Sequence, residues 1–509
     1  MQHMTLRPQS GEHPQGGGLL ILEQQNFHTI VSVFAKENLQ PACGLPASLQ
    51  ADVELVSGLP PAVQSVWRKI RVNRQAAGGH KETMLLSPQI SPVEPAFHTP
   101  WCPAGDDLAP GELVARRQWA RRQGAPDWLW PGVDRADWLR AQSWIEEKAR
   151  AILSGKGPLV ADAAALDPDA LGLACYTSGM GPLLGWWRRQ GLLVASPSVG
   201  ALFELHFEHN RQRMVTMTAA AARLLGLLHE RRIVAVLLKG MHTAHAIFPD
   251  PATRPLSDID LLVSPQAREP VEALLRARGY GETGRTMRES SWRQHGVASE
   301  PRTLTFTHAM DPWTIDLHHE LDIPVAGGGA AIPLDRLEPL RHAGRGGPWD
   351  WPGLEQPLLL LHLAAHAGAG LHNMTLIRLV ELHLAIRRHR PDWVMFLEQG
   401  ARAKVLGHAW PALQLCERLV PGTVPQAVLD GCAARAPARV RRLVADLSPG
   451  QAQRVGDSSL GEHFMWAGGA LGLLRQGWHD LTQPGLSMRE RLSIYERRAW
   501  QVMRGRLRR

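Results

Sequence analysis

The 509-residue sequence predicts an α/β (α+β) fold, a mixed β-sheet core flanked by N- and C-terminal helices. Three observations predict it. Apolar residues recur at three- and four-residue steps over Val199–Arg232, and helical runs return from Leu354 onwards. Between these stretches the period changes to short apolar runs, Ile233–Leu238 (IVAVLL) and Asp258–Val263 (DIDLLV). The central order is strand, helix, strand, helix, strand, strand, which a mixed sheet in an α/β unit accommodates.

Residues 1–157 read as a partly irregular N-terminal extension of unknown function. The segment opens rich in Gly, Pro and Gln, and Leu86–Pro110 holds six prolines in 25 residues. Such a stretch cannot propagate a helix and offers few ladder donors. Helical candidates around it are Leu19–Asn38 and Asp134–Leu153, the latter with Trp138, Leu139, Trp144 and Ile145 at amphipathic spacing.

Residues 158–345 read as the core with its preceding helices. Gly181–Gly191 and Val199–Arg232 are helical. The strand Ile233–Leu238 ends at Lys239–Gly240, and Met241–Phe248 forms a short helix. Pro249, Pro251 and Pro255 force a loop. The strand Asp258–Val263 follows, then an amphipathic helix Pro265–Arg278 stopped by Gly279, then strands at Thr303–Thr307 and Trp313–Leu321. Residues 346–509 read as a helical region with helices at Leu358–Gly368, Leu376–His389, Asp392–Leu406 and Ala409–Leu419. It ends in a basic amphipathic tail from Arg489.

Charge narrows the function. Lys+Arg 56 against Asp+Glu 48 gives +8. The stretch Arg489–Arg509 carries eight Arg and two Glu, so the other 488 residues are close to neutral. A generally basic, polymer-binding surface is therefore not expected, and an anionic partner would first be sought at the tail. The longest apolar run, Leu358–Ile377, is interrupted by His362, His366 and His372, so no membrane span is expected. Cys43, Cys102, Cys175, Cys416 and Cys432 show no paired spacing, which argues against a disulfide framework and a Cys-based zinc site. The N-terminus lacks the basic-then-apolar order of a secretory signal, and a cytoplasmic protein is expected.

The chemistry centres on Asp258-Ile259-Asp260. Strand alternation puts Asp258 and Asp260 on one face and Ile259 and Leu261 on the other. Two adjacent carboxylates repel, and a divalent cation would neutralise them. Asp316, in the strand TIDLHHEL, adds a third carboxylate, enough to hold one or two Mg2+ ions. Two metals about 3.5–4 Å apart suit in-line displacement at phosphorus. Upstream, Lys239-Gly240 ends a strand and opens a helix; glycine there lets a phosphate approach the backbone, and helix-start N–H groups bind anions. Arg254, four residues before Asp258, could neutralise a polyphosphate, or pair with Asp250 or Asp258 to fix the loop. A lone D-x-D is more often a solvated pair than a metal site. A glycine followed by D-x-D within one αβ unit is a stronger signal.

The string LLKGMHTAHAIFPDPATRPLSDIDLLV (Leu237–Val263) closely resembles the bacterial uncharacterised nucleotidyltransferase-like family, a branch of the DNA polymerase beta-type superfamily. The likeness lies in LKG, a short helix, a Phe with Pro, then R-P-x-x-D-I-D-L-L-V. It continues through Gly279–Tyr280 and IDLHHEL to LLLLHLAAHAGAG…LIRLVELHLAI, over roughly residues 160 to 420. The resemblance implies a polymerase-beta-like nucleotidyltransferase core. It maps Asp258, Asp260 and Asp316 onto catalytic and metal-binding positions, and Lys239, Gly240 and Arg254 onto nucleotide-binding ones. The implied function is Mg2+-dependent transfer of an NMP group from a nucleoside triphosphate to an unknown acceptor. The alternative is a non-catalytic nucleotide-binding regulatory or accessory protein of the same fold.

Histidines supply a third, metal-hydrolase reading. His362 and His366 stand four apart on a predicted helix, but Leu-Ala-Ala between them supplies no Glu for a zincin motif, so packing is the favoured role. His318 shares a strand face with Asp316 and so borders the site. His366, Arg378 and Glu381 match family positions and read as helix–helix contacts.

Overall fold

The computed structural model describes residues 133–451, apart from 164, 286–288, 298–299, 304–307, 320, 323–330, 333–351 and 372–373, and also residues 115 and 466. The expected helix Leu19–Asn38, the proline-rich stretch and the basic tail lie outside the described residues.

The first helix, α1 (Arg135–Leu153), is capped by Asp134, whose carboxylate accepts the Ala136 and Asp137 N–H groups. Helices α2 (Pro168–Ser178) and α3 (Gly181–Arg189) follow, then the 34-residue α4 (Pro197–Glu230). Strands β1 (Leu159–Ala161) and β2 (Leu193–Ala195) pair in parallel as a separate small sheet.

The central sheet contains β3 (Ala235–Leu237), β4 (Asp258–Val263), β5 (Tyr280–Arg285), β6 (Glu289–Gln294) and β7 (Thr314–His318), in the order β3-β4-β7-β6-β5. The β4–β7 pair is parallel and the other pairs are antiparallel, so the sheet is mixed. Helix α5 (Lys239–Ala246) connects β3 towards β4, and α6 (Arg268–Ala277) lies between β4 and β5. Gly279, at φ 79°, takes the left-handed conformation that ends α6. Two short strands, β8 (Leu321–Asp322) and β9 (Ala331–Ile332), pair beyond β7. The helical region comprises α7 (Leu358–Ala369), α8 (Leu376–His389), α9 (Trp393–Arg402), α10 (Leu406–Leu419), α11 (Gln426–Ala433) and α12 (Ala438–Ala445). The molecule is thus α+β, with helices on both sides of the sheet in the sequence.

Several elements differ from expectation. The helix expected over Pro265–Arg278 begins as a 3-10 turn, Pro265–Ala267, before α6. Strands β5 (YGETGR) and β6 (ESSWRQ) were not expected, because their apolar content is low and their order comes from pairing with neighbours. Most of the strand expected at Thr303–Thr307 lies outside the described residues. Thr303 itself sits in a bend, where its N–H and hydroxyl donate to Asp311.

The sheet divides two apolar cores. Val236 and Leu262 join α1–α3 and the helices from α7 onwards. Ala235, Leu237, Ile259, Leu261, Val263, Trp292, Ile315 and Leu317 join the second half of α4 and the buried face of α6. Ile259, Leu261 and Val263 are almost wholly buried. A one-residue slip of β4 would exchange these with the carboxylate face. Losing three such burials costs about 5–9 kcal/mol, comparable with the roughly 5–15 kcal/mol net stability of a domain. The register is therefore firmly specified.

Arg213 on α4 fixes the two loops that lead into the acidic strands. It is 1% exposed and donates to the carbonyls of Leu256, Asp311 and Pro312. Arg213→Met should leave three buried carbonyls without this donor and cost about 3–5 kcal/mol in urea-unfolding free energy. A loss under about 1 kcal/mol would show that the loops are held by other means.

Burial holds several histidines neutral. His242 and His383 are pushed down to about 4 by burial, helped by neighbouring histidines in the first case and by Arg387 in the second. Burial alone takes His408 to about 4, and burial with Lys239 nearby takes His362 to about 3. The folded pKa lies below the unfolded value of about 6.5, so the unfolded chain binds more protons in that interval. Their stabilising effect is complete above pH 6.5 and is lost as pH falls towards 4. His408→Gln should flatten the fall in stability between pH 6.5 and 4 by up to about 1.4 kcal/mol per pH unit. Unfolding titrations of both proteins at stepped pH measure this difference, and identical slopes would refute it.

Candidate active site

The parallel β4–β7 register places Asp260 directly opposite Asp316 and Asp258 opposite Thr314. Asp258 and Asp260 share a face through strand alternation, and Asp316 joins them from the neighbouring strand. Oxygens of Asp258, Asp260 and Asp316 all lie within 4.8 Å of one another. Among the described residues this is the cluster able to hold a metal ion, and no histidine belongs to it.

Two cationic groups meet Asp260. Lys239 Nζ donates to Asp260 Oδ1 at 2.9 Å, and His318 Nε2 lies 2.8 Å from the same oxygen. His318 Nδ1 is 3.4 Å from Glu289 Oε2. Burial pushes the Asp260 carboxyl up, but Lys239 and His318 outweigh it and hold the group well below the usual carboxylate range. Burial and the charge of Asp260 push Asp258 up. Burial, then Asp258, Glu289 and Asp260, push Asp316 up to about 8. Burial lowers His318, yet its hydrogen bond to Asp260 and the charge of Glu289 leave it raised. Lys239 behaves alike: burial opposes its charge, and Asp260 with Asp258 more than restores it.

The cluster is therefore short of positive charge. Asp316 Oδ1 is buried with no hydrogen-bond partner. Both contacts to Asp260 fall on Oδ1, leaving Oδ2 for another ligand. Three hard oxygen donors with an unpartnered lone pair fit a divalent cation such as Mg2+.

Lys239 has φ 35°, a left-handed conformation at the junction of β3 and α5. The next residue, Gly240, is buried, and a Cβ there would lie 2.3 Å from Leu256 Cδ2. Leu256 belongs to the core beneath β4, so a larger residue here would have to displace the Leu256 methyl, and packing favours glycine independently of any ligand.

Beside the carboxylates lies a pocket lined by Lys239, Arg254, Leu363, His366, Ala367, Arg378 and Glu381. Arg254 pairs with neither Asp250 nor Asp258. Its Nε and Nη2 donate to Glu381 Oε1 and Oε2 at 3.2 and 3.0 Å, and its Nη1 donates to the Pro255 carbonyl at 2.7 Å. Thr243 of α5 also donates to Glu381. His366, Arg378 and Glu381, read from the sequence as helix–helix contacts, line this pocket with Lys239 and Arg254, and Glu381 also joins α8 to α5 through Thr243. Periodicity could show that they lie on α7 and α8, but not that these faces meet the strand ends. Glu289 was not anticipated, because β6 itself gave no apolar alternation. His362 and His366 have ring centroids 5.9 Å apart, and burial holds both well below the usual histidine range.

Residues 180–421 match the model of a family described as uncharacterised nucleotidyltransferase. The matched segment runs from the start of α3 to just past α10 and contains the acidic cluster and the adjoining pocket. No curated protein and no solved structure matches the chain. Among the described residues no helix is long and apolar enough to cross a membrane.

In the Arg254–Glu381 pair the carboxylate is buried and the guanidinium is partly so. Arg254→Leu strands a buried carboxylate and should destabilise the protein by about 3–5 kcal/mol, whereas Arg254→Leu with Glu381→Leu should recover most of that loss. Thermal or chemical unfolding of the two single variants and the double variant checks this. Additive losses would show that the two residues act independently.

Proposed function

We propose that the chain is a Mg2+-dependent nucleotidyltransferase that moves an NMP group from a nucleoside triphosphate to an acceptor hydroxyl. The observation that carries this reading is the convergence of Asp258, Asp260 and Asp316 with an unpartnered buried oxygen, inside the segment that matches the family. Asp258, Asp260 and Asp316 would hold the cation. Bound there, Mg2+ would polarise the α-phosphate and neutralise the charge that develops on the leaving group.

The chain's own residues account for the rest. Lys239 and His318 keep Asp260 ionised and fix its orientation through Oδ1. Lys239 and Gly240 sit where β3 passes into α5, Lys239 lining the pocket, and would meet the phosphates. In the transfer, the acceptor oxygen forms a bond to the α-phosphorus. The bond from that phosphorus to the bridging oxygen breaks, and pyrophosphate leaves with the electron pair. Asp316, in its ionised form, would take the acceptor proton and pass it to solvent.

Incubation of the full chain with labelled triphosphates, Mg2+ and cell extract should release pyrophosphate and label an acceptor. Asp258→Asn and Asp260→Asn should each lower that rate by on the order of a hundredfold or more. Full turnover in both variants would rule out the assignment. Saturable nucleotide binding without pyrophosphate release would instead favour the non-catalytic nucleotide-binding alternative.

A further inference from the structure

The pocket beside the carboxylates carries an unbalanced charge. It is lined by the cations Lys239, Arg254 and Arg378 and by a single carboxylate, Glu381. Glu381 is already engaged, since Arg254 takes both its oxygens and Thr243 adds a third hydrogen bond. Lys239 reaches across to Asp260. Arg378 lines the pocket, and among the described residues its guanidinium has no hydrogen-bond or ion-pair partner. Leu363 and Ala367 supply an apolar wall one turn apart on α7, with no acceptor for Arg378. His366 offers a neutral ring, because burial and the charges of Lys239 and Arg378 oppose its protonation.

We propose that Arg378 and Lys239 flank a subsite for the two phosphates that depart as pyrophosphate, while Arg254 positions Glu381 and makes no contact with the nucleotide. This rests on the nucleotidyl-transfer reading and deepens it. Three features support it. Lys239 is shared by the carboxylate cluster and the pocket, so an anion in the pocket lies alongside the reacting centre. Arg378 is near enough to feel the charges of Asp258 and Asp260. A planar, bidentate carboxylate match is already made in this pocket by Arg254 and Glu381, which leaves a second guanidinium fork and an ammonium. That pair suits a polyoxyanion with several acceptor oxygens.

Isothermal titration of the full-length protein, with Mg2+ present, tests the subsite. The probes are inorganic pyrophosphate, the four nucleoside triphosphates and their monophosphates. Arg378→Gln should weaken pyrophosphate and triphosphate binding by about tenfold or more, with monophosphate binding changed less than twofold. Should the Gln variant not fold, as judged by circular dichroism and thermal unfolding, Arg378→Met carries the same comparison. Unchanged triphosphate affinity, or an equal loss for monophosphates, overturns the subsite while Asp258→Asn and Asp260→Asn still test the nucleotidyl-transfer reading separately. Pyrophosphate binding by the wild type without any triphosphate binding would mark a free-anion site and overturn both. An absence of binding to every probe would also overturn both.

Discussion

The parallel pairing of β4 and β7 is the constraint on which the site depends. It sets Asp260 against Asp316 and brings Asp258 into the same cluster. Carboxylates so placed repel one another, and nothing in their own chemistry would hold them there. The opposite face of the same strands does. Ile259, Leu261, Ile315 and Leu317 are buried against α4 and α6, and their removal from water outweighs the repulsion. Because alternation along a strand is obligatory, burying one face dictates the other. The apolar core therefore forces the acidic cluster into existence, and the cluster expresses its strain as the upward shifts of Asp258 and Asp316.

Positive charge reaches this cluster from separate elements. Lys239 arrives at the start of α5, His318 from the end of β7, and Arg254 and Arg378 from a loop and from α8. Each is committed differently. Lys239 and His318 hold Asp260, Arg254 is committed to Glu381, and Arg378 is committed to no described residue. The result is a site that is acidic at the strands and basic one step away at the helices. On the proposed reading, a nucleoside triphosphate would match such a gradient, with a metal-bound α-phosphate at the strands and the departing β- and γ-phosphates at the helices.

Much of this was legible in the sequence, for identifiable reasons. The run DIDLLV declares strand, faces and carboxylates together, since the side-chain period of a strand is fixed at two. The helices expected at Leu376–His389 and Leu358–Gly368 appear as Leu376–His389 and Leu358–Ala369. What was not legible was tertiary. Strands β5 and β6 are ordered by pairing, and their residues YGETGR and ESSWRQ carry no strong local preference, so Glu289 stayed hidden. For Arg254 the sequence offered a polyphosphate or, among carboxylates, its near neighbours Asp250 and Asp258. Arg254 reaches Glu381 instead, a partner that no local pattern could specify. Gly240 stands out in the sequence as a place where a phosphate could approach the backbone, and the structure adds a packing reason for glycine there, the Leu256 side chain.

The network Arg254–Glu381–Thr243 has a consequence for how the site is built. Thr243 lies on α5, which follows the strand carrying Lys239. Arg254 lies in the loop entering β4, and Glu381 lies on α8 in the helical region. These three elements meet at one buried carboxylate that cannot be left unpaired without a penalty of several kcal/mol. The sheet with α4 and α6 could form the acidic cluster, because its register needs only their shared apolar core. The pocket cannot form without α7 and α8 docked over the strand ends, since His366, Arg378 and Glu381 belong to those helices. The smallest unit able to present both halves of the proposed site is therefore the sheet together with the helical layer. The family match, which runs through both from residue 180 to 421, follows that physical unit rather than the sheet alone.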